Sequence, residues 1–183
     1  MKNKIIGFLL ILLILVMIPL CAARKTVRSE PPKKSAQPDE SVKIIAYAAE
    51  KALPEGCCDE ALKALIIILN TNYKYNKGLF DKNVGKINNS KTEKYAEMLK
   101  GYYITYNKKT VPVPYFRYSA GFTSPGKSHP YIRNSASPWD LPENGKSTDG
   151  VSLNGINKLC GLGLDYKSAL GWYLKDIEIN APS

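Results

Sequence analysis

The chain begins with an apolar segment that a water-soluble domain would not leave at its surface. Lys2 and Lys4 precede this segment, and residues 5–23 contain no charged side chain before Arg24. A helix of about 17 to 20 apolar residues covers the hydrocarbon core of a bilayer. We therefore expect residues 1–23 to be a signal-anchor or a signal peptide that contacts the membrane through residues 5–23. As an N-terminal membrane helix, this segment precedes the folded domain and is not part of it.

Both interpretations of this segment export the rest of the chain. An uncleaved anchor predicts a membrane-anchored, extracytoplasmic protein on the cell-wall side, and a cleaved signal predicts a secreted one. Residues 21–23 match a cleavage site only loosely, and Leu20 before Cys21 is a poor match to a lipidation site. The opposite topology stays open, because the positive-inside rule favours a cytoplasmic position for the basic residues after the span, which are Arg24, Lys25, Arg28, Lys33 and Lys34.

Residues 24–40 separate the apolar segment from the remaining chain. They contain three prolines and alternating charges, with hardly any large apolar side chain. Such a composition cannot bury a core, so it predicts a semi-extended tether. One folded domain is then expected over residues 41–183.

The charge balance and the scarcity of metal ligands exclude several classes of function. The 26 Lys and Arg residues exceed the 16 Asp and Glu residues, which gives a net charge of +10 and favours anionic lipid, an anionic wall or another polyanion as partner. No nucleic-acid motif accompanies the lysines, so we expect no nucleic-acid partner. One histidine and four cysteines are too few for an evident metal site, and no cofactor motif is present.

The hydrophobic pattern after residue 40 predicts an α+β fold in which helices pack on a small, largely antiparallel sheet. Ser41, Asp59, Ser90 and Asp165 are the expected helix caps. Residues 60–70 are apolar around the whole circumference, which predicts a buried central helix. The expected helices cover residues 41–53, 60–70, 90–100, 152–160 and 166–174, with strands at 102–106, 111–119 and 177–179 and a loop at 72–89.

Three segments resemble one known family. They are ALPEGCCDEALKAL (Ala52 to Leu65), PYFRYSAGFTSPGKSHPYIRNSASPWD (Pro114 to Asp140) and VSLNGINKLCGLGLDYKSALGWYLKDIEI (Val151 to Ile179). Their order and internal spacing are similar to the Glu-Met-Pro helix, the Ser-Gly-Gly-x-Thr segment and the closing Met-Ser-Gln segment of the stage II sporulation protein D and amidase-enhancer family. The resemblance covers roughly residues 42–179.

The resemblance implies a role in sporulation or at the cell wall, with peptidoglycan glycan strands as the binding partner. One branch of the family resembles lytic transglycosylases, in which a glutamate protonates the leaving glycosidic oxygen. Another branch stimulates a wall amidase, so a wall hydrolase or amidase is a further expected partner. In an ungapped comparison Ala52 occupies the position of the catalytic glutamate, so no intact catalytic residue is predicted.

The polar residues that survive at motif positions are the expected glycan contacts. The candidate substrate-binding residues are Lys63, Ser119, Thr123 and Ser152. Leu65 and Leu153 replace glutamines of the family pattern, and the short stretch between Asp140 and Val151 predicts that a second lobe is absent.

The leading hypothesis is therefore a non-catalytic glycan-binding or partner-binding relative of lytic transglycosylases, a pseudoenzyme. The alternatives are an active peptidoglycan lytic transglycosylase, in which Glu50 or Glu55 replaces the missing acid, or an activator of a wall amidase. Helical geometry opposes the substitution by Glu50, because two residues turn a helix by about 200°. Glu55 follows Pro54 in an expected loop.

The cysteines allow one cross-link outside the cytoplasm. The family packs the regions that contain Cys57, Cys58 and Cys160 near one another. A disulfide between Cys160 and either Cys57 or Cys58 is one interpretation, and buried, unpaired thiols are the other.

Overall fold

The structure is a computed structural model, and it describes residues 39–53, 56–141 and 147–182. This part of the chain contains five α-helices, one 3₁₀ helix and seven short strands. The helices are α1 (Glu40–Ala52), α2 (Asp59–Tyr75), α3 (Ser90–Met98), α4 (Leu153–Gly161) and α5 (Tyr166–Tyr173), and the 3₁₀ turn is Lys77–Leu79. The strands are β1 (Tyr103–Tyr106), β2 (Lys109–Thr110), β3 (Tyr115–Phe116), β4 (Phe122–Thr123), β5 (Ser135–Ala136), β6 (Val151–Ser152) and β7 (Ile177–Asn180).

Helix α2 is the centre of the core, as its apolar circumference predicts. Five consecutive side chains from Leu65 to Leu69 are fully buried. The helix contacts α1, α3, α4, α5 and β1, so it has almost no free face. Each fully buried Leu or Ile contributes roughly 1.5 to 3 kcal/mol relative to an exposed position, which makes this helix the main source of hydrophobic stabilisation.

Two polar residues near the end of α2 attach the strand region to the core. The Thr71 hydroxyl donates to the Ile67 carbonyl and accepts from the Ile104 N–H of β1, at 2.6 and 2.9 Å. The Asn72 side chain bonds both the N–H and the carbonyl of Val113, at 2.6 and 2.9 Å. These bonds extend α2 to Tyr75, so the predicted loop at residues 72–89 begins later and includes the 3₁₀ turn.

The helix caps differ from the predicted ones in three of four cases. Asp39 caps α1 by accepting from the Ser41 N–H, and Asn89 caps α3 by accepting from the Lys91 N–H, each one or two residues before the predicted cap. Cys58 precedes α2 and makes no side-chain cap, so Asp59 is the first helical residue. The predicted cap at Asp165 is confirmed, with a 2.7 Å bond from the Ser168 N–H. At α1 and α3 the predicted cap is a serine, but an Asp or Asn one or two residues earlier is the actual cap.

The sheets are small, and most of their pairs are antiparallel. Strand β1 lies between β2 and β7, and β4 pairs with β5, all antiparallel. Asn107 and Lys108 make the β1–β2 turn with φ values of 51° and 61°. The predicted strand at 111–119 contracts to β3, because Pro112 and Pro114 lack an N–H for a ladder, and β3 pairs in parallel with β6. The α+β class is confirmed, with one parallel pair that the sequence did not predict.

No helix in the described ranges is long and apolar enough to cross a membrane. The predicted membrane segment, residues 5–23, and the tether up to residue 38 lie outside the described residues.

Candidate functional site

A buried carboxylate gathers the polar residues of the strand region. Asp140 is 2% exposed. Its Oδ2 accepts from the hydroxyls of Ser119, Ser137 and Ser152 at 2.7, 2.9 and 2.6 Å, and from the Ser119 N–H at 2.9 Å. Its Oδ1 accepts from the Asn154 side chain at 2.7 Å. We call these five residues the Asp140 network.

The Asp140 network keeps this carboxylate ionised in the interior. Burial raises the pKa of Asp140, but the hydrogen bonds from Ser152, Asn154 and Ser119 together outweigh burial and hold the pKa below its ordinary value. An ionised carboxylate with this many donors is costly to bury but strongly bound once it is in place. The network therefore joins the segment at Ser119, the segment after β5, strand β6 and helix α4 from inside.

The network continues into the helices through one close approach. The Ser137 hydroxyl lies 3.0 Å from the Tyr173 hydroxyl of α5, and the Ser152 hydroxyl accepts from the Gly155 N–H as the cap of α4. A Cβ at Gly155 would lie 1.8 Å from that Tyr173 oxygen. Only glycine therefore fits where α4 crosses this side chain.

The structure brings together two of the four predicted glycan contacts, and both face inward. Ser119 and Ser152 are fully buried members of the Asp140 network, and Thr123 is 1% exposed and donates to the Arg133 carbonyl at 2.9 Å. A ligand would have to displace these partners to reach any of the three hydroxyls. Their arrangement supports a positioning role in the fold, and direct glycan contact at these positions stays a prediction.

Lys63 belongs to a different cluster, on α2. Its ammonium pairs with Glu60 on the preceding turn and lies 5.4 Å from the centre of the Tyr95 ring. The hydrogen bond that Lys63 donates to Glu60 raises the pKa of Lys63, and the other Glu60 oxygen accepts from the Tyr166 N–H of α5 at 3.0 Å. Lys63 thus helps to orient a carboxylate that connects α2 with α5.

Ala52, which occupies the position of the missing acid, faces the core. Ala52 is half-buried and packs against the hydrophobic core at the end of α1. Glu50 points elsewhere, as helical geometry predicts, and its carboxylate accepts from the Asn88 N–H at 3.0 and 3.1 Å. Glu55, the other alternative acid, lies outside the described residues together with Pro54.

An open cleft of about 680 Å³ lies between the end of α1 and the start of α3. We call it the α1–α3 cleft. One acid, one base and several small polar groups line it, together with apolar atoms of Leu53. The described lining residues are Glu50, Leu53, Gly56, Cys57, Asn89, Ser90, Lys91 and Thr92.

Thr92 contributes to the wall of this cleft, but its hydroxyl is closed to solvent. The residue is fully buried, and within the described ranges its Oγ1 makes no hydrogen bond. A buried hydroxyl left unpaired costs roughly 1 to 3 kcal/mol. The neighbouring Lys91 ammonium is exposed and lies 3.0 Å from Asp59. The groups that the cleft presents to solvent are therefore those of Asn89, Ser90 and Lys91.

Tyrosines line a second, smaller cavity of about 210 Å³ beside α2 and β1. Tyr73, Tyr102 and Tyr103 contribute to its wall, and the Lys74 ammonium lies 3.2 Å from the centre of the Tyr103 ring. This cation already occupies the ring face that a sugar would stack on.

Metal chemistry has no evident place in this part of the molecule. Among residues 39–53, 56–141 and 147–182 no three His, Cys, Asp or Glu side chains form a group that could hold a metal ion. The single histidine, His129, bonds to Asp149 through Nδ1 at 2.8 Å.

Sequence reasoning missed Asp140 and the polar edge of the cleft. Asp140 ends the quoted Ser-Pro-Trp-Asp segment, and its signal was an acidic residue in a stretch rich in serine and asparagine. The Asn-Ser-Lys-Thr run at residues 89–92 is typical of a helix cap, so the sequence predicts only a helix start there. No protein-family model matches the chain, and no curated protein matches it.

Proposed function

We propose that this chain is a membrane-anchored, extracytoplasmic relative of the stage II sporulation protein D and amidase-enhancer family that binds peptidoglycan glycan strands without cutting them. Support for the family comes from the order and spacing of the three sequence segments within one α+β domain. Support for binding comes from the α1–α3 cleft. The membrane attachment through residues 5–23 is part of the same proposal.

The observation that carries glycan binding is the exposed polar edge of the cleft, formed by Asn89, Ser90 and Lys91. A sugar hydroxyl can both donate and accept, so it can pair with the Ser90 hydroxyl in either direction. Leu53 provides an apolar surface beside this edge for a sugar ring. Polar groups above a partly apolar floor are typical of small-ligand and sugar sites.

The acids in the described part of the cleft support binding without cleavage. Glycosidic cleavage needs a carboxylic acid that donates a proton to the leaving oxygen. Ala52 has no such group, and Glu50 uses its carboxylate as an acceptor for the Asn88 N–H. A strand held here meets no positioned proton donor among the described residues.

The charge of the chain supports a place at the cell wall. A net charge of +10 attracts the anionic polymers that accompany peptidoglycan, and this attraction weakens as salt is added. The α1–α3 cleft then has to supply only a modest, specific part of the binding free energy for glycan strands.

Co-sedimentation of the purified full-length chain with peptide-free glycan strands tests this proposal, with analysis of the supernatant for anhydro-sugar products. We expect binding without products. Lys91→Ala should reduce the bound fraction several-fold, whereas Lys127→Ala, the same charge change at an exposed turn, should leave it unchanged at 0.15 M salt. Products from the wild type that disappear in Glu50→Gln or in Glu55→Gln would show an active lytic transglycosylase instead.

One observation favours a second candidate function, the binding of a wall hydrolase or amidase. Phe122 and Trp172 are 51% and 41% exposed, and both adjoin Ala136, through strand pairing and through a 3.0 Å bond from the indole N–H. Exposed aromatic residues in one place are typical of protein interfaces. If this patch activates an amidase, Phe122→Ser should abolish the stimulation of amidase activity, and Met98→Ser, at an equally exposed position, should preserve it.

A further inference from the structure

Two of the three described cysteines lie on facing helix ends. Cys58 immediately precedes α2, and its N–H donates to the Asn157 side chain of α4 at 3.0 Å. Its sulfur lies 4.0 Å from the Asn157 carbonyl oxygen. Cys160 is three residues further along α4, which is about one helical turn and therefore the same face. The Cys58 thiol thus lies against the face of α4 that contains Cys160.

The environment of Cys160 agrees with this geometry. Cys160 is 8% exposed and belongs to the hydrophobic core. Burial, together with the neighbouring Cys58 thiol, raises the pKa of Cys160 to about 12. Cys57 takes a different place, since its side chain lines the α1–α3 cleft.

We infer that Cys58 and Cys160 form an intramolecular disulfide when the chain meets a disulfide oxidant, and that Cys57 stays a thiol. The inference goes beyond the proposed function and does not rest on it. It also decides between the two pairings that the sequence leaves open. Cys57, Cys58 and Cys160 are unpaired in this structure.

The oxidant is a low-molecular-weight or protein disulfide, and the exchange proceeds in two steps. The half-exposed Cys58 attacks one sulfur of the oxidant, which forms a mixed disulfide and releases the first thiol. Cys160 then attacks the Cys58 sulfur, which forms the Cys58–Cys160 bond and releases the second thiol. The two electrons and two protons of the cysteine thiols end on the oxidant, which leaves as two thiols.

The cross-link closes a long loop and fastens α2 to α4. Because residues 58 and 160 are far apart in the chain, the bond restricts the unfolded state strongly. Oxidation should therefore raise the melting temperature of the full-length chain by roughly 10 °C. Addition of a reductant should reverse the increase.

The test is oxidation of the full-length chain with oxidised glutathione, followed by alkylation of free thiols and non-reducing tryptic mapping. Trypsin places Cys57 and Cys58 in one peptide (residues 52–63) and Cys160 in another (residues 159–167). We expect these peptides to be joined, with fragmentation assigning the bond to Cys58 and the alkyl group to Cys57. Cys57→Ser should retain the bond and the higher melting temperature, and Cys58→Ser should lose both.

Three results overturn the inference. The first is a wild-type chain in which Cys160 stays alkylated after complete reaction with the oxidant. The second is a bond that fragmentation assigns to Cys57 in the wild type. The third is an equal yield of the joined peptides from Cys58→Ser and Cys57→Ser. Fragmentation of the wild-type peptides decides the pairing even where a variant folds poorly.

Discussion

The Asp140 network and the α1–α3 cleft are both rich in hydroxyl and amide groups, but they differ in how those groups are paired. In the network, each donor hydroxyl of Ser119, Ser137 and Ser152 points at one buried carboxylate. In the cleft, Asn89, Ser90 and Lys91 face solvent, and the Thr92 hydroxyl has no partner in the described part of the chain. The network pairs its hydroxyls inside the protein, whereas the cleft has polar side chains that are exposed to solvent.

This difference distinguishes motif residues that stabilise the fold from residues that are accessible to a ligand. Serines at motif positions suggested a binding groove, yet a hydroxyl that already pairs with a carboxylate gains little by exchanging it for a sugar. An exposed group exchanges only water for a sugar hydroxyl, so it can bind a ligand without breaking a bond within the protein.

The largest effect is expected for Asp140→Ala. The substitution leaves the Ser119 N–H and several side-chain donors buried without an acceptor, which should lower the free energy of unfolding by about 4 kcal/mol. Urea unfolding of the full-length chain measures the loss. Asp81→Ala removes an exposed carboxylate whose one hydrogen bond within the described residues comes from the Asn83 N–H, so it should cost less than 1 kcal/mol. Equal losses in the two variants would contradict the account of the network.

Acid should remove the contribution of the same carboxylate. Because the folded pKa of Asp140 lies below its ordinary value of 3.8, its stabilising contribution is complete above that value and is lost as the pH falls through the lower, folded pKa. The difference in unfolding free energy between wild type and Asp140→Asn should therefore be constant between pH 5 and 7 and shrink below about pH 4. A difference that grows towards acid pH would show that the folded pKa is raised.

Gly155→Ala should disrupt the contact between α4 and α5. Its Cβ would overlap the Tyr173 hydroxyl and approach the Trp139 indole nitrogen to 2.8 Å, so we expect a loss of about 2 to 3 kcal/mol despite the better helix propensity of alanine. Gly161→Ala lies in the same helix and meets no atom within 4 Å. Thermal unfolding should show that Gly161→Ala is neutral or stabilising, by up to about 1 kcal/mol. Similar melting temperatures for both variants would contradict the packing at Gly155.

A matched pair of Thr→Val variants compares a free hydroxyl with a paired one. Thr71→Val leaves the buried Ile104 N–H without its acceptor and should cost about 1 to 2 kcal/mol. Thr92→Val removes a buried hydroxyl that has no partner among the described residues, so it should raise the free energy of unfolding by about 1 kcal/mol. Co-sedimentation should show unchanged glycan binding by both variants, because neither hydroxyl is exposed to solvent. A loss of stability in Thr92→Val would contradict the lack of a hydrogen bond at this hydroxyl.

The smallest effect is expected for Lys63→Met. The substitution keeps most of the aliphatic stem and removes a partly exposed ion pair with Glu60. Such pairs contribute about 0.2 to 1 kcal/mol, so we expect a loss of roughly 0.5 kcal/mol and no change in glycan binding. A several-fold loss of binding by this variant would restore Lys63 as a glycan contact.

The sequence predicts the helical part of this fold well and the sheet part less well. The apolar circumference of residues 60–70 and the Asp165 cap correspond directly to α2 and α5, because helix signals are local. The parallel β3–β6 pair joins residues 115–116 to 151–152, and two-residue strands contain no period that could reveal such a distant partner.

The candidate site was harder to predict for a related reason. A sequence does not distinguish a serine that donates to a buried carboxylate from a serine that is exposed to a ligand. Ser119 and Ser152 became distinguishable from Ser90 only when the fold placed Asp140 between them. The choice of Cys58 over its neighbour Cys57 likewise depends on which side chain turns towards α4.

Hydrogen–deuterium exchange of the full-length chain, with and without peptide-free glycan strands, tests the central claim most directly. The account predicts slower exchange of the backbone amides at residues 56–58 and 86–92, which border the α1–α3 cleft, and unchanged exchange at residues 119, 137–140 and 152. Protection confined to the Asp140 network, or no protection at any residue under conditions of co-sedimentation, would contradict it.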